Sequence, residues 1–139
     1  MSKDWTHQNE PQVVHPRRLA EPSWNCDEVY DVLRRHNAAY CIHELAGFHT
    51  PILLTANFSY IRLHGPGGKY QGCYAEDKLS EWAERIADWS SKLRAIYIYF
   101  DNDDSGYAPR NALELKQLVE KSFSTQRHGG YGEKRIRSA

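Results

Sequence analysis

The stretch NFSYIRLHGPGGKYQGCY, residues 57–74, decides how this chain reads. Residues 58–64 form an alternating apolar pattern, as a strand does. The strand ends on Arg62 and His64 and breaks into a Gly-Pro-Gly-Gly loop with Tyr70 and Tyr74 behind it. Side chains two apart on a strand point the same way, so Arg62 and His64 share a face. Such a strand end is either a tight turn that holds polar residues or the rim of a site.

Working outward, SWNCDEVYDVLRRHN (residues 23–37) reads as a helix. Ser23 or Asn25 can cap it, and Val29, Val32 and Leu33 form its apolar stripe. AAYCIHEL (38–45) follows as a short buried strand, and AGFHTPILLTA (46–56) as a loop with an apolar patch. After the glycine loop, residues 75–93 read as an amphipathic helix with Leu79, Trp82, Ala83, Ile86 and Trp89 at helical spacing. RAIYIYF (94–100) is a third strand, followed by the polar loop DNDDSGYAPRN. Pro109 opens a third helix over 109–123, with Leu113, Leu115, Leu118 and Val119 expected inside. Residues 1–21 are polar and proline-bearing, with a short apolar patch at Val13 and Val14, and are expected to be irregular. Residues 124–139 are expected to be a flexible basic tail, leaving 22–123 as the domain.

Strands separated by amphipathic helices call for parallel pairing and an α/β fold. In such folds ligands sit at the carboxyl ends of the strands. Both polar clusters of this chain, around His64 and around Asp101, fall at strand C-termini.

Composition narrows the function classes. The 139 residues carry 18 basic and 18 acidic side chains, so charge supports neither nucleic acid nor an anionic membrane as partner. No apolar run approaches the ~20 residues of a membrane span. The N-terminus lacks an apolar signal region. Cys26, Cys41 and Cys73 are odd in number and without a C-x-x-C pair, which argues against a disulfide framework or structural zinc and for reduced thiols in a cytoplasmic protein.

Several ordered motifs then carry a resemblance. PSW at 22–24, YIRLHGP at 60–66, Y-x-G-x-Y at 70–74, LSEWAERIADW at 79–89, IYIYFDND at 96–103 and GYAPRNALEL at 106–115 together resemble the DUF72 (YecE-like) family, over roughly residues 22–119. The resemblance implies a TIM-barrel-like fold and no settled activity. Family members run to about twice this length, and a TIM barrel needs roughly 200–250 residues. The matched part is the family's C-terminal portion, and its GTSGW-like opening and FYP segment are absent. The acidic residue and arginine that the family places just before PSW are not in their spacing here, where Arg17, Arg18 and Glu21 stand. The expected fold is therefore α/β: a partial TIM-barrel-like unit of three to four parallel strands and three helices, the C-terminal half of a barrel.

Site candidates follow from residue chemistry. Arg62 suits a carboxylate or phosphate through its planar fork, and His64 can transfer a proton or ligate a metal. Alternatively the two form a structural ion pair with Asp101 or Asp103. Asp101 and Asp103 share a face if the strand continues, so either could orient His64. Gly65, Gly67 and Gly68, with Lys69 nearby, could bring backbone N–H groups to an anion, although the loop is no Walker A motif. Asp101, Asn102, Asp103 and Asp104 could also hold a divalent cation or simply cap the next helix, and no metal ligand is assigned. Tyr70 and Tyr107 are open between ligand stacking and rim packing, and Asn102, Tyr107 and Asn111 complete the ligand-binding candidates in the matched motifs. Glu44 is a further candidate through the resemblance, whereas His43 and His49 read as surface or loop residues.

Two functions stay open. One is an enzyme-like pocket with a hydrolytic or phosphate-handling reaction on an anionic small molecule. The other is a truncated, non-catalytic homologue that is inactive alone or works with a partner chain, whether a homo-oligomer or a complementing half-barrel. The sequence names no cofactor.

Overall fold

The computed structural model describes residues 13–14, 25–45 and 48–129, with side chains for 25–45 and 48–124. In chain order the elements are β1 (Val13–Val14), α1 (Asp27–Arg35), β2 (Ala39–Leu45), β3 (Phe48–His49), β4 (Phe58–Leu63), α2 (Glu76–Ser90), β5 (Ala95–Phe100), a short 3-10 turn (Asp104–Gly106) and α3 (Tyr107–Gly129). The fold is α/β, with four parallel strands in the order β1-β2-β4-β5 and three helices.

Strand alternation sorts the side chains onto two faces. Ile42, Ile61 and Leu63 pack with Leu79, Trp82, Ala83, Ile86 and Trp89 of α2 and with Leu115 of α3. Ile96, Ile98 and Phe100 of β5 join them. Each of the fully buried Ile42, Ile61, Leu63 and Leu79 contributes about 1.5–3 kcal/mol through apolar surface removed from water. Tyr40, on the same face as Ile42, packs with Tyr30 and Leu33 of α1. All three helices therefore cover one face of the sheet.

The opposite face holds different residues. Register places Cys41, Tyr60 and Tyr97 side by side, and His43, Arg62 and Tyr99 in the next row. Phe58 meets Tyr97 edge-on at 6.1 Å, and Tyr60 meets Tyr99 at 5.2 Å. Tyr97 and Tyr99 remain 39% and 47% exposed.

The structure departs from expectation at several points. Val13–Val14 is a strand within the segment read as irregular, and the rest of 1–24 lies outside the described residues. Cys26, not Ser23 or Asn25, stands at the N-cap of α1, without a side-chain cap. Asn25 instead accepts hydrogen bonds from the hydroxyls of Tyr40 (2.9 Å) and Tyr30 (3.4 Å). Between β2 and β4 the described residues form no helix, in line with the expected loop, but they add a short strand. β3 folds back antiparallel on β2, and Thr50 and Thr55 tie the following segment to it, accepting from the amides of His43 and Tyr40 at 2.8 Å each.

Helix α3 starts at Tyr107, so Pro109 sits in the first turn, where its missing N–H is not needed. It runs to Gly129, past the expected end at 123, and residues 130–139 lie outside the described residues. Leu113, expected inside, is 62% exposed. The inward stripe is Ala108, Asn111 and Leu115, and residue 113 falls on the far side of that helical period. Among the described residues no helix is long and apolar enough to cross a membrane.

Candidate functional site

The parallel ladder builds the site by running one residue past each strand. The amide of His64 donates to the Glu44 carbonyl at 2.8 Å, and the amide of Asp101 donates to the Leu63 carbonyl at 2.8 Å. This sets His64 and Asp101 beside each other at the carboxyl end of the sheet. Arg62 donates through Nε to Asp101 Oδ2 and through Nη2 to Asp101 Oδ1, both at 2.9 Å. The forked geometry is the strong form of the arginine–carboxylate pair. Asp101 Oδ2 also lies 3.3 Å from His64 Nε2.

His64 is buried, and its Nδ1 has no hydrogen-bond partner. Burial lowers the imidazole pKa below its usual value, and the Arg62 charge adds to this. Asp101 and the carbonyls of Arg62 and Glu44 oppose the shift without reversing it, and neither carbonyl closes a hydrogen bond on Nδ1. The ring is therefore neutral near pH 7, with a buried nitrogen able to take a proton or meet a ligand. The His43 ring in β2 lies 4.2 Å from that of His64, and the Tyr70 ring in the glycine loop lies 5.4 Å from it.

Of the candidates, Arg62, His64, Tyr70 and Asp101 come together. Asp103 does not join them: β5 ends at Phe100 and the chain turns into the 3-10 helix, where the exposed Asp103 uses its carbonyl to accept from the Gly106 amide. The glycine loop is held by its own contacts. Gly65 donates its amide to Tyr74 Oη at 3.0 Å, Gly67 donates to the Gln71 carbonyl, and the Gly68 carbonyl accepts from the Gln71 amide. Tyr70 adopts a positive φ of 64° and donates its amide to the His64 carbonyl at 2.8 Å.

Asn102 and Asn111 lie behind this loop and are both fully buried. Asn102 Nδ2 donates to the Gly72 carbonyl at 2.8 Å and to Asn111 Oδ1 at 2.9 Å. Asn111 Oδ1 also accepts from the Tyr74 amide at 3.0 Å. These two asparagines brace the loop that passes over His64. Tyr107 is half-buried at the start of α3.

Glu44 faces the helix side with Ile42, where Lys78 Nζ comes within 3.8 Å of its carboxylate. His43, read as a surface or loop residue, instead sits within β2 opposite Arg62. Its parity in the strand is the signal that could have found it. Cys41 is fully buried, and burial pushes its thiol up to about 12, which keeps it protonated and inert. Among the described residues no group of three or more His, Cys, Asp or Glu side chains is gathered to hold a metal ion.

The family model described as "Protein of unknown function DUF72" matches residues 8–132. A DUF72 family protein from Thermotoga maritima is 26% identical, with a TM-score of 0.64, over 70% of this chain and 43% of its own. A DUF72 family protein from Enterococcus faecalis, in two crystal structures, matches at TM-scores of 0.68 and 0.65 with 14% and 17% identity, over 81% of this chain and 48% and 50% of its own. No curated protein matches. The chain spans about half the length of these solved relatives. With the family model matched over residues 8–132 of 139, the chain belongs to the DUF72 family.

Proposed function

We propose that this chain carries an acid–base site for an anionic small molecule at the carboxyl end of its parallel sheet, suited to hydrolysis of an ester or phosphoester. His64 is the proton-transferring group, Asp101 orients it, and Arg62 holds Asp101 while keeping Nη1 for a ligand anion. The observation that carries this reading is the buried Nδ1 of His64 without a hydrogen bond, on a neutral ring that has a carboxylate 3.3 Å from its other nitrogen. Buried polar atoms are nearly always paired, so an unpaired imidazole nitrogen at a strand C-terminus is a functional signal. The loop from Gly65 to Gly72, braced by Asn102 and Asn111, forms the near wall, and Tyr70 gives it an aromatic edge. Gly67, Gly68 and Tyr107 are second contacts for the ligand, and Asp103 stands outside the proton-transfer group.

The test is a panel of p-nitrophenyl phosphate and carboxylate esters against wild type and His64→Gln, with imidazole nitrogen chemical shifts recorded on the same samples. Turnover or a ligand-induced shift of His64 nitrogens, lost in His64→Gln with an unchanged circular dichroism spectrum, supports the site. A blank panel together with unfolding of His64→Gln makes His64 a structural residue.

A different observation favours a second reading, in which the chain works only with a partner chain. It covers 43–50% of its solved relatives, and the sheet face that carries Arg62 leaves Tyr97 and Tyr99 in the open. Under this reading the isolated chain is without turnover, and activity appears on adding the missing partner.

A further inference from the structure

One contact at Nε2 does not fix the His64 ring. The torsion that swings an imidazole about its Cβ–Cγ bond is broad, and Asp101 Oδ2 touches a single nitrogen at 3.3 Å. The remaining constraint has to come from neighbouring rings. Two lie against the imidazole: His43 at 4.2 Å, tilted by 46°, and Tyr70 at 5.4 Å, tilted by 44°. His43 is the nearer, and it stands on strand β2, whereas Tyr70 belongs to a loop. A group carried by a strand is placed more closely than one carried by a loop.

His43 is itself held from several directions. In the ladder it pairs with Arg62 of β4. From the β3 side, buried Thr50 makes three hydrogen bonds to its backbone. The Thr50 amide donates to the His43 carbonyl at 3.0 Å. Its Oγ1 accepts from the His43 amide at 2.8 Å and donates to the same carbonyl at 3.4 Å. The Phe48 ring meets the His43 ring edge-on at 6.1 Å. The antiparallel turn through β3 thus brings both Thr50 and Phe48 to one residue of β2.

We propose that His43 is a positioning residue for His64, holding the plane of its ring so that Nε2–H points at Asp101 and Nδ1 keeps the lone pair that takes a proton. This rests on the acid–base reading of the site. An ionised carboxylate only accepts, so a neutral ring in contact with Asp101 carries its hydrogen on Nε2. Nδ1, buried and without a hydrogen bond, is then the basic nitrogen. A misplacement of about 1 Å in such a site costs about 10²-fold in rate, which a pivoting ring would incur. The line of support runs from Thr50 through His43 to His64, and from there through Asp101 to Arg62. His43 acts by ring contact, so a phenyl ring in its place does the same.

The tautomer of His64 is read from two-bond nitrogen–proton correlations on the nitrogen-15-labelled 139-residue chain, at about pH 8, where an ordinary imidazole is neutral. Wild type is expected to show one tautomer, protonated at Nε2. His43→Phe keeps that signal. His43→Ala replaces it with the averaged nitrogen shifts of mixed tautomers, with an unchanged circular dichroism spectrum. Thr50→Val, which keeps the side-chain shape and removes the hydroxyl, moves the signals the same way. A single tautomer retained in His43→Ala, a mixture already present in wild type, or a mixture in His43→Phe overturns the inference. Where His43→Ala does not fold, Thr50→Val decides: mixed tautomers support the inference and an unchanged signal overturns it. Turnover is measured separately in the ester panel. A blank panel on a chain whose His64 tautomer depends on His43 removes the acid–base role and leaves the positioning. Turnover with an unchanged tautomer in His43→Ala removes the positioning alone.

Discussion

Asp101 is gripped by Arg62 through two contacts of 2.9 Å and lies 3.3 Å from His64 Nε2, so one carboxylate joins β5 to β4 and sets the imidazole. The arginine and aspartate side chains are 33% and 23% exposed. Hydrogen bonds to charged groups contribute about 1.5–3 kcal/mol, and partial exposure moves this pair toward the lower figure. Asp101→Ala is therefore expected to cost about 2 kcal/mol and leave an arginine half-buried without its partner. Arg62→Lys keeps the charge but loses the fork, at about 1 kcal/mol. Urea midpoints at constant slope measure both. Equal midpoints for wild type and Asp101→Ala would remove this pair from the account of stability.

The sign of the His64 effect is set by its lowered pKa. The unfolded chain binds the proton more readily than the folded one, so stability rises with pH across the window between the two values. The contribution is complete above the ordinary value of 6.5 and is lost as pH falls through it toward the folded value. Asp101 and Arg62 face the ring with opposite charges, and burial outweighs both. Wild type is expected to lose stability relative to His64→Gln between pH 7 and pH 5. Parallel curves for the two proteins would show that His64 titrates normally.

The three long strands and the helices were readable because their patterns are local. Val29, Val32 and Leu33 repeat at helical spacing, and residues 58–64 alternate. β1 and β3 were not, since two-residue pairings such as Val13–Val14 and Phe48–His49 leave no periodic trace and are defined by the partner strand. Asp101 and Asp103 looked equivalent because parity assumes a continuing strand, and the turn at Asp104 breaks it. Parity within β2 puts His43 on the face opposite Ile42 and Glu44, and register between the strands then sets it beside Arg62. The bracing role of Asn102 and Asn111 was hidden, because it depends on a carbonyl 30 residues away from Asn102 and an amide 37 residues away from Asn111.

Gly65 has φ +108°, and a Cβ there would lie 2.2 Å from the Gln71 carbonyl oxygen. Neither the backbone angle nor the contact can be relieved by a side-chain shift. Gly65→Ala is expected to cost about 3 kcal/mol, the upper end for a strained backbone position. Gly106 has φ +73° but nothing within 4 Å of its Cβ position. Gly106→Ala then carries the left-handed cost alone, about 1 kcal/mol. At about 4 °C per kcal/mol, thermal unfolding separates the two. Equal shifts would mean that the loop rearranges around the new methyl group.

Asn111 has no polar group left for a ligand. Its Oδ1 accepts from the Tyr74 amide and from Asn102, and its Nδ2 donates to the Tyr74 carbonyl at 3.2 Å, the Glu114 carboxylate at 3.0 Å and Cys73 Sγ at 3.4 Å. Asn111→Ala strands the buried Tyr74 amide, at about 1–3 kcal/mol for the unpaired donor, with the emptied volume adding to it. Asn111→Asp keeps an acceptor for that amide but sets a buried charge beside Glu114, and is expected to be at least as damaging. Since Tyr74 Oη in turn receives the Gly65 amide, the damage should reach the loop. Faster hydrogen exchange at residues 65–74 in Asn111→Ala, with a lower urea midpoint, is the expected pair of results. A variant that keeps its stability and loses only ligand affinity would return Asn111 to the binding residues.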